Sequence, residues 1–340
     1  MDMFTTATLQ RTVETLIRPQ TALLSAFFPI VETSDDETIY FDVENKKRRI
    51  APFVSPLREG RFVSDEGYVS RLFRPAYIKD KRVLDPNKAL KRRMGETIGG
   101  NLAPINRQQA NLAQALADQL DMLARRKEVM AAEVLRTGKC VISGDGYPTV
   151  EVDFGRNANH TVTLTLSARW GESGVKPLEN IEDWTLTVLQ NSGATIRDVI
   201  MDVAAWRLFR ADAQVEKFLN TRPLSATEEA VSLVRFSASG LSYQGGIGQL
   251  RFWVYSDWFV NDAGTEVPIL PANTVLLVSE DLDGVQHHGA IRDEEAGLQP
   301  LEFFSKSWTQ HDPSARILLM QSAPLVVPYR VNASFCATVR

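Results

Sequence analysis

Residues 101–138 read NLAPINRQQANLAQALADQLDMLARRKEVMAAEVLRTG, and the fold turns on this stretch. Pro104 suits the first turn of a helix, where its missing N–H costs nothing, and Gly138 is placed as a C-terminal stop. Between them Ile105, Leu112, Leu116, Leu120, Leu123, Met130 and Val134 recur at spacings of three, four or seven, which puts them on one apolar stripe. The spacing predicts a single amphipathic helix over 104–137. At about 1.5 Å per residue such a helix spans on the order of 50 Å, the length of a spine or bundle member. Gln109 and Lys127 interrupt the stripe and heptads are not sustained, which weighs against a coiled coil.

Upstream the pattern changes. Residues 1–45 show no lasting periodicity, include Pro19 and Pro29, and carry one extended run at Thr38–Val43, so they read as an arm with little core of its own. From Ile50 to Leu84 β-branched and aromatic residues alternate with charge, punctuated by Gly60 and Gly67, which suits a long two-stranded hairpin. A hairpin of that kind is marginal in water and needs a surface to lie on. Residues 46–93 hold fifteen Lys and Arg against five acids, a net +10, which leaves −14 for the rest of a chain whose total is −4. A basic segment therefore sits on an acidic body. It could bind nucleic acid, or it could pair with the acidic body of a neighbouring subunit, and a weak hairpin of opposite charge favours the neighbour.

Downstream come short strands at Lys139–Ser143, Thr149–Phe154 and Thr161–Leu166, with a turn at Gly144-Asp145-Gly146. Helical stretches follow at Asp202–Asn220 and Thr227–Ser237, then strand-like runs at Leu250–Val260, Thr274–Ser279 and Arg316–Met320. Segregated rather than alternating elements make the class mixed α+β.

With 340 residues and 44% hydrophobic content the chain can bury a sizeable core in two or three units. Its longest apolar runs, Ile317–Met320 and Leu325–Val327, fall far short of the roughly 20 residues that cross a bilayer. The start, MDMFTT, has no basic region followed by an apolar one, so the expectation is a soluble chain without a secretory signal, made in the cytoplasm. Cys140 and Cys336 read as ordinary buried thiols.

Chemistry-bearing patterns are scarce. The sequence has no Gly-x-Ser-x-Gly elbow, no Walker loop and no His-Glu-x-x-His helix. His287 and His288 lack a cysteine or carboxylate at ligand spacing and sit in a Gly-rich stretch, which reads as a solvated loop; His160 and His311 stand apart. Gly245-Gly246-Ile247-Gly248 has a strand rather than a helix after it, so it reads as a turn and not a phosphate cradle. Asp281-Leu-Asp-Gly284 lacks the remaining ligands of a calcium loop. No catalytic residue, cofactor or metal is expected.

Several stretches, none diagnostic alone, occur in a telling order: Phe4-Thr-Thr-Ala-Thr-Leu9, Phe53-Val-Ser-Pro-Leu57, and Arg74-Pro-Ala-Tyr-Ile-Lys-Asp-Lys-Arg-Val-Leu-Asp-Pro86 leading to the long helix. Trp206-Arg-Leu-Phe-Arg210, Leu241-Ser-Tyr-Gln-Gly245 and Val254-Tyr255 follow. Leu270-Pro-Ala-Asn-Thr274, Asp312-Pro-Ser-Ala-Arg316 and Gln321-Ser-Ala-Pro324 complete the series. In these stretches and in its order of parts the whole chain resembles the major capsid proteins of tailed bacteriophages, specifically the lambda-type family. The resemblance implies the Hong Kong-97-type phage capsid fold: an N-terminal arm at 1–44, an extended loop at 45–92, a peripheral domain at 93–165 with spine helix 104–137, an axial domain at 166–310, and a segment at 311–340 completing the peripheral domain.

The function implied is structural, self-assembly into pentamers and hexamers of an icosahedral head. Partners implied are other copies of the chain, a separate scaffold protein (the family's start coincides with Met1), a portal protein at one vertex, in some relatives a decoration protein, and double-stranded DNA against the inner surface. The chain would reside in the virion, after assembly in the host cytoplasm, with no membrane. Arg58, Arg61, Lys79, Lys81 and Arg82 of the extended loop are the candidate inter-subunit contacts. Two alternatives stay open: another virion component such as a tail tube or ring, and a nucleic-acid-binding protein using 46–93.

Overall fold

Pro104–Thr137 forms one helix of 34 residues in a computed structural model that describes residues 4–16, 21–35, 38–44, 59, 68–73, 75, 77–85, 103–144, 147–219, 240–261, 263–297, 299–312 and 315–340. The described residues hold six helices: α1 (Thr6–Thr15), α2 (Leu23–Phe27), α3 (Pro104–Thr137), α4 (Pro177–Ser192), α5 (Val203–Arg210) and α6 (Ala213–Phe218). Helix α3 begins at its proline and ends on Gly138, whose φ of 69° lets its N–H reach back to the Val134 carbonyl at 2.8 Å. The Arg156 guanidinium covers the same end, donating to the Leu135 and Arg136 carbonyls that helical geometry leaves unpaired.

The stripe of α3 is buried at Leu112, Leu116, Leu120, Leu123, Met130 and Val134. Ile105 is the exception at 57% exposure, because it lies in the first turn, beyond the reach of the sheet the helix packs on. That sheet is antiparallel, with Ala315–Ser322 between Phe304–Gln310 and Ile78–Leu84. Leu318 and Met320 from it, Phe303 beside it, and Leu9 and Val13 from α1 close a core around Leu112 to Leu123. The expected border at 310/311 falls between two paired strands of this sheet.

A second sheet of six strands runs in the order Thr161–Thr163, Ser334–Thr338, Thr274–Ser279, Ile196–Met201, Leu250–Tyr255, Leu241–Ile247. Helices α4 and α5 cover it through aromatic contacts: Trp184 stacks on Phe335 at 5.5 Å, Phe209 meets Phe252 at 4.9 Å, and Trp170 lies between Trp184 and Phe209. A third sheet, Ile30–Thr33 with Gly284–His288 and Pro324–Pro328, lies against α3.

Several expectations are corrected. The arm contains α1 and α2, and contributes Leu9, Val13, Leu23, Leu24 and Phe27 to the core. Its helices, ten and five residues long, are too short to repeat an apolar stripe. The strand Tyr68–Phe73 pairs with Ile39–Glu44, whereas Ile78–Leu84 pairs in the sheet under α3, so these two strands of the expected Ile50–Leu84 hairpin do not pair with each other; 50–58, 60–67, 74 and 76 lie outside the described residues. The helix expected over Asp202–Asn220 is two, because Asp212 accepts from the Gln214 and Val215 amides and starts a new helix. The strand at Thr161 stops at Thr163, and Leu166 is solvent-exposed with φ of +50°.

His287 and His288 lie on a central strand and are buried, not in a solvated loop. Helix α4 was not foreseen. Thr227–Ser237 lies outside the described residues. Cys140 and Cys336 are buried thiols as read; of the expected turn Gly245–Gly248 only Gly248 lies in the turn joining two antiparallel strands, because Gly245, Gly246 and Ile247 pair within the strand Leu241–Ile247.

Candidate assembly surface

Lys79, Lys81 and Val83 share one face of the strand Ile78–Leu84 by its two-residue period, and all three are exposed. Lys81 lies 5.7 Å from the centre of the Trp308 ring on the far strand of the sheet, and Lys79 lies 5.4 Å from the Tyr77 ring. Trp308 is 38% exposed and Val83 60%, so this face offers cations, an aromatic and an aliphatic side chain together.

Arg82 points the other way. Its Nε donates to Asp80 at 3.0 Å and one terminal nitrogen to Asp118 of α3 at 3.4 Å, so it fastens the strand to the helix within its own chain. The structure therefore brings Lys79 and Lys81 together on one face and gives Arg82 partners at home. Arg58 and Arg61 lie outside the described residues.

A second constellation ties the arm to the body. Glu128 of α3 is buried, with Oε1 accepting from the Ala22 and Leu23 amides at 3.1 and 2.8 Å and from the Tyr255 hydroxyl at 2.9 Å. Its Oε2 accepts from the Leu24 amide at 2.9 Å. Burial pushes its pKa above the ordinary glutamate range, while those hydrogen bonds pull the other way. The preceding residue, Lys127, is also buried and donates to Glu302 at 3.0 Å and Gln286 at 3.1 Å.

In the sequence Lys127 stands out only as a break in the stripe. Its place, four after Leu123 and three before Met130, already put a charge on the buried face, and that was the available signal. Glu128 carried none, because three of its four donors are backbone amides about a hundred residues away and the fourth, the Tyr255 hydroxyl, is farther still along the chain.

Among the described residues no group of three or more His, Cys, Asp or Glu could hold a metal ion. His160 has its Nδ1 3.0 Å from the Ser334 carbonyl and its Nε2 3.0 Å from the Asn191 amide nitrogen, and His287 has Nε2 3.0 Å from the Tyr329 hydroxyl. Both rings are buried and their pKa is lowered chiefly by burial, although Glu32, 3.6 Å from His287 Nδ1, pulls that ring the other way. The Cys140 and Cys336 thiols are pushed up by burial to about 12 and about 11, far from a nucleophile's range. No helix of the described residues is long and apolar enough to cross a membrane.

Residues 5–339 match the family described as phage major capsid protein E. The chain is 28% identical over 335 residues to the major capsid protein of Escherichia phage lambda, covering 96% of each, and 27% identical over 334 residues to that of Enterobacteria phage phi80, again covering 96% of each. Among solved structures it is similar to a prophage capsid protein from Escherichia coli CFT073, with TM-score 0.77, 22% identity, and coverage of 98% of this chain and 96% of the other. The capsid of Ralstonia phage GP4 matches with TM-score 0.54 and 10% identity, covering 95% and 92%. These two structures share the fold, the Hong Kong-97-type arrangement of arm, spine helix and sheets expected above. With a family match that spans nearly every residue, the chain belongs to the phage major capsid protein E family.

Proposed function

We propose that the chain is the major shell subunit of a tailed-phage head, whose copies join as pentamers and hexamers into a closed icosahedral capsid. The observation that carries this is the family match over 5–339 together with a fold built on a 34-residue helix and three main sheets. The role is structural, in keeping with the family, and the chain is a component of the virion.

The unit formed by α3 and the sheet of Phe304–Gln310, Ala315–Ser322 and Ile78–Leu84 serves as the peripheral domain, and the six-stranded sheet with α4 and α5 as the axial domain. Residues 1–44 act as an arm, and 45–92, apart from the strand Ile78–Leu84 that belongs to the sheet, as a loop that reaches a neighbour. Lys79 and Lys81, with Arg58 and Arg61 of the same basic segment, meet acids on adjacent subunits, which fits a body carrying −14 outside 46–93. Arg82 braces the strand that presents the lysines. A separate scaffold protein, a portal at one vertex, a decoration protein and packaged double-stranded DNA at the inner surface are the remaining partners, met during assembly in the host cytoplasm.

Electron microscopy of the purified chain, expressed with and without its neighbouring phage genes, tests the reading. Closed shells or lattice fragments of hexamers and pentamers are the expected products. Stacked rings would replace this reading with a tail-tube component, and a small particle that binds DNA in a salt-dependent way would replace it with a nucleic-acid-binding protein.

A further inference from the structure

We infer that Glu128 is a positioning residue for assembly, a carboxylate set in the spine helix that fixes how the N-terminal arm is seated on the subunit body. The inference rests on the shell reading above and adds the residue that seats the arm.

Helix α2 is five residues long and has no side-chain cap of its own, since Ala22 stands at its N-cap. Glu128 supplies the cap from another element, taking the amides of Ala22, Leu23 and Leu24 onto its two oxygens at 2.8 to 3.1 Å. The opposite end is held as well. Gln286 donates through Nε2 to the Phe28 carbonyl at 2.7 Å, and its own oxygen is held by Lys127 at 3.1 Å. Two consecutive residues of α3 thus address both ends of one short helix. The anion stands at the end where amides are unpaired, and the cation, acting through Gln286, at the end where carbonyls are.

The seat is shaped to fit. A side chain at Gly284 would collide with the Phe27 carbonyl and the Phe28 ring, so α2 can approach the strand Gly284–His288 only because that position is glycine. Directly after α2, Ile30–Thr33 pairs in parallel with Val285–His288, which fixes the outgoing chain. The Tyr255 hydroxyl, donating to Glu128 at 2.9 Å, brings the six-stranded sheet to the same junction. Arm, spine and axial sheet therefore meet at one carboxylate.

Packing alone does not require this. A buried charge is costly to desolvate, and an apolar residue would fill the space with less penalty, whereas a carboxylate with four fixed donors admits a single placement of the segment it holds. In a shell of identical subunits that placement sets the surface which the seated arm offers to other copies, and with it whether the lattice curves uniformly.

The test compares the full chain, its Glu128→Gln and Gln286→Ala variants, each expressed with the neighbouring phage genes. Particles are sized by electron microscopy and subunits are followed by hydrogen exchange. In Glu128→Gln the amide that replaces one carboxylate oxygen cannot accept from the backbone. Protection of the 22–24 amides should fall by about tenfold or more while protection across 112–134 of α3 is retained. The particles should lose their uniform diameter, and Gln286→Ala, which frees the other end of α2, should do the same. Uniform particles despite lost protection at 22–24 would overturn the inference. So would loss of protection throughout the chain in Glu128→Gln together with uniform particles from Gln286→Ala, which would make Glu128 a residue of folding only. Failure of the unaltered chain to form shells would instead reject the shell reading itself.

Discussion

Leu116 sits at the centre of the contact between α3, α1 and the three-stranded sheet, with no exposed surface, among Leu9, Leu112, Leu120, Leu318 and Met320. Replacing it with alanine removes three carbons. At about 0.8 kcal/mol per buried methylene the transfer loss alone is about 2.4 kcal/mol, and the residual cavity brings the expected cost to about 3 kcal/mol, within the range of roughly 2 to 5 for such changes. An unfolding entropy of about 2.1 cal/mol/K per residue gives about 0.7 kcal/mol/K for 340 residues, so the melting midpoint should fall by roughly 4 °C. The measurement is thermal unfolding of unassembled subunits, since lattice contacts would add stability unrelated to the site. Ile105→Ala is the matched control, because that side chain belongs to the same sequence stripe but is 57% exposed, and its midpoint should move by less than about 1 °C. A Leu116→Ala midpoint within 1 °C of the parent, or an Ile105→Ala change as large as that of Leu116→Ala, would refute the packing of α3 described here.

Charge reversal at Lys79 and Lys81 together should slow shell formation and flatten its dependence on salt, while Arg82→Glu should instead lower the stability of the free subunit, because Arg82 pairs with Asp80 and Asp118 of its own chain. Equal effects on assembly from all three positions would contradict that division. His160 has its pKa lowered by burial, so the unfolded chain binds more protons than the folded one below the usual imidazole value of about 6.5. Its contribution is intact above that pH and lost as the pH falls toward the lowered value, so the parent should lose stability between pH 7 and 5 more steeply than His160→Gln; parallel pH profiles would show that the ring is not held neutral. Both cysteines should resist a thiol reagent at neutral pH in the native chain and react once it is unfolded, because burial holds each thiol protonated. Rapid labelling of either one in the native protein would place it at the surface.

The parts legible in the sequence were those whose causes are local. Helix α3 announced itself because a 34-residue amphipathic segment repeats its stripe many times and is punctuated at both ends by Pro104 and Gly138. The strand Thr274–Ser279 was readable because it is a run of β-branched and aliphatic residues buried on both faces. The helix α4 had a local signal too, with Leu178, Ile181, Trp184 and Val188 three, three and four apart between Pro177 and Gly193, blurred by the apolar Leu186, which lies off that stripe and is half exposed.

Of the candidate surface, the basic character of 46–93 could be read from composition, but not which cations face outward. That is settled by the pairing of Ile78–Leu84 with Ala315–Ser322, which turns Lys79 and Lys81 to one side and leaves Arg82 beside Asp118. The pairing joins segments more than two hundred residues apart, and a strand's own alternation names its two faces without saying which is covered. The same holds for His287 and His288, whose glycine-rich surroundings suggest a loop until Pro324–Pro328 and Ile30–Thr33 enclose them on either side. By itself the sequence determined the spine helix, the mixed class and, through the order of its motifs, the family, since these depend on periodicity and local order along the chain. Only the tertiary structure decided how the arm is seated, because the carboxylate that seats it answers to unpaired amides of a short helix, and backbone groups leave no mark in the residue types that carry them.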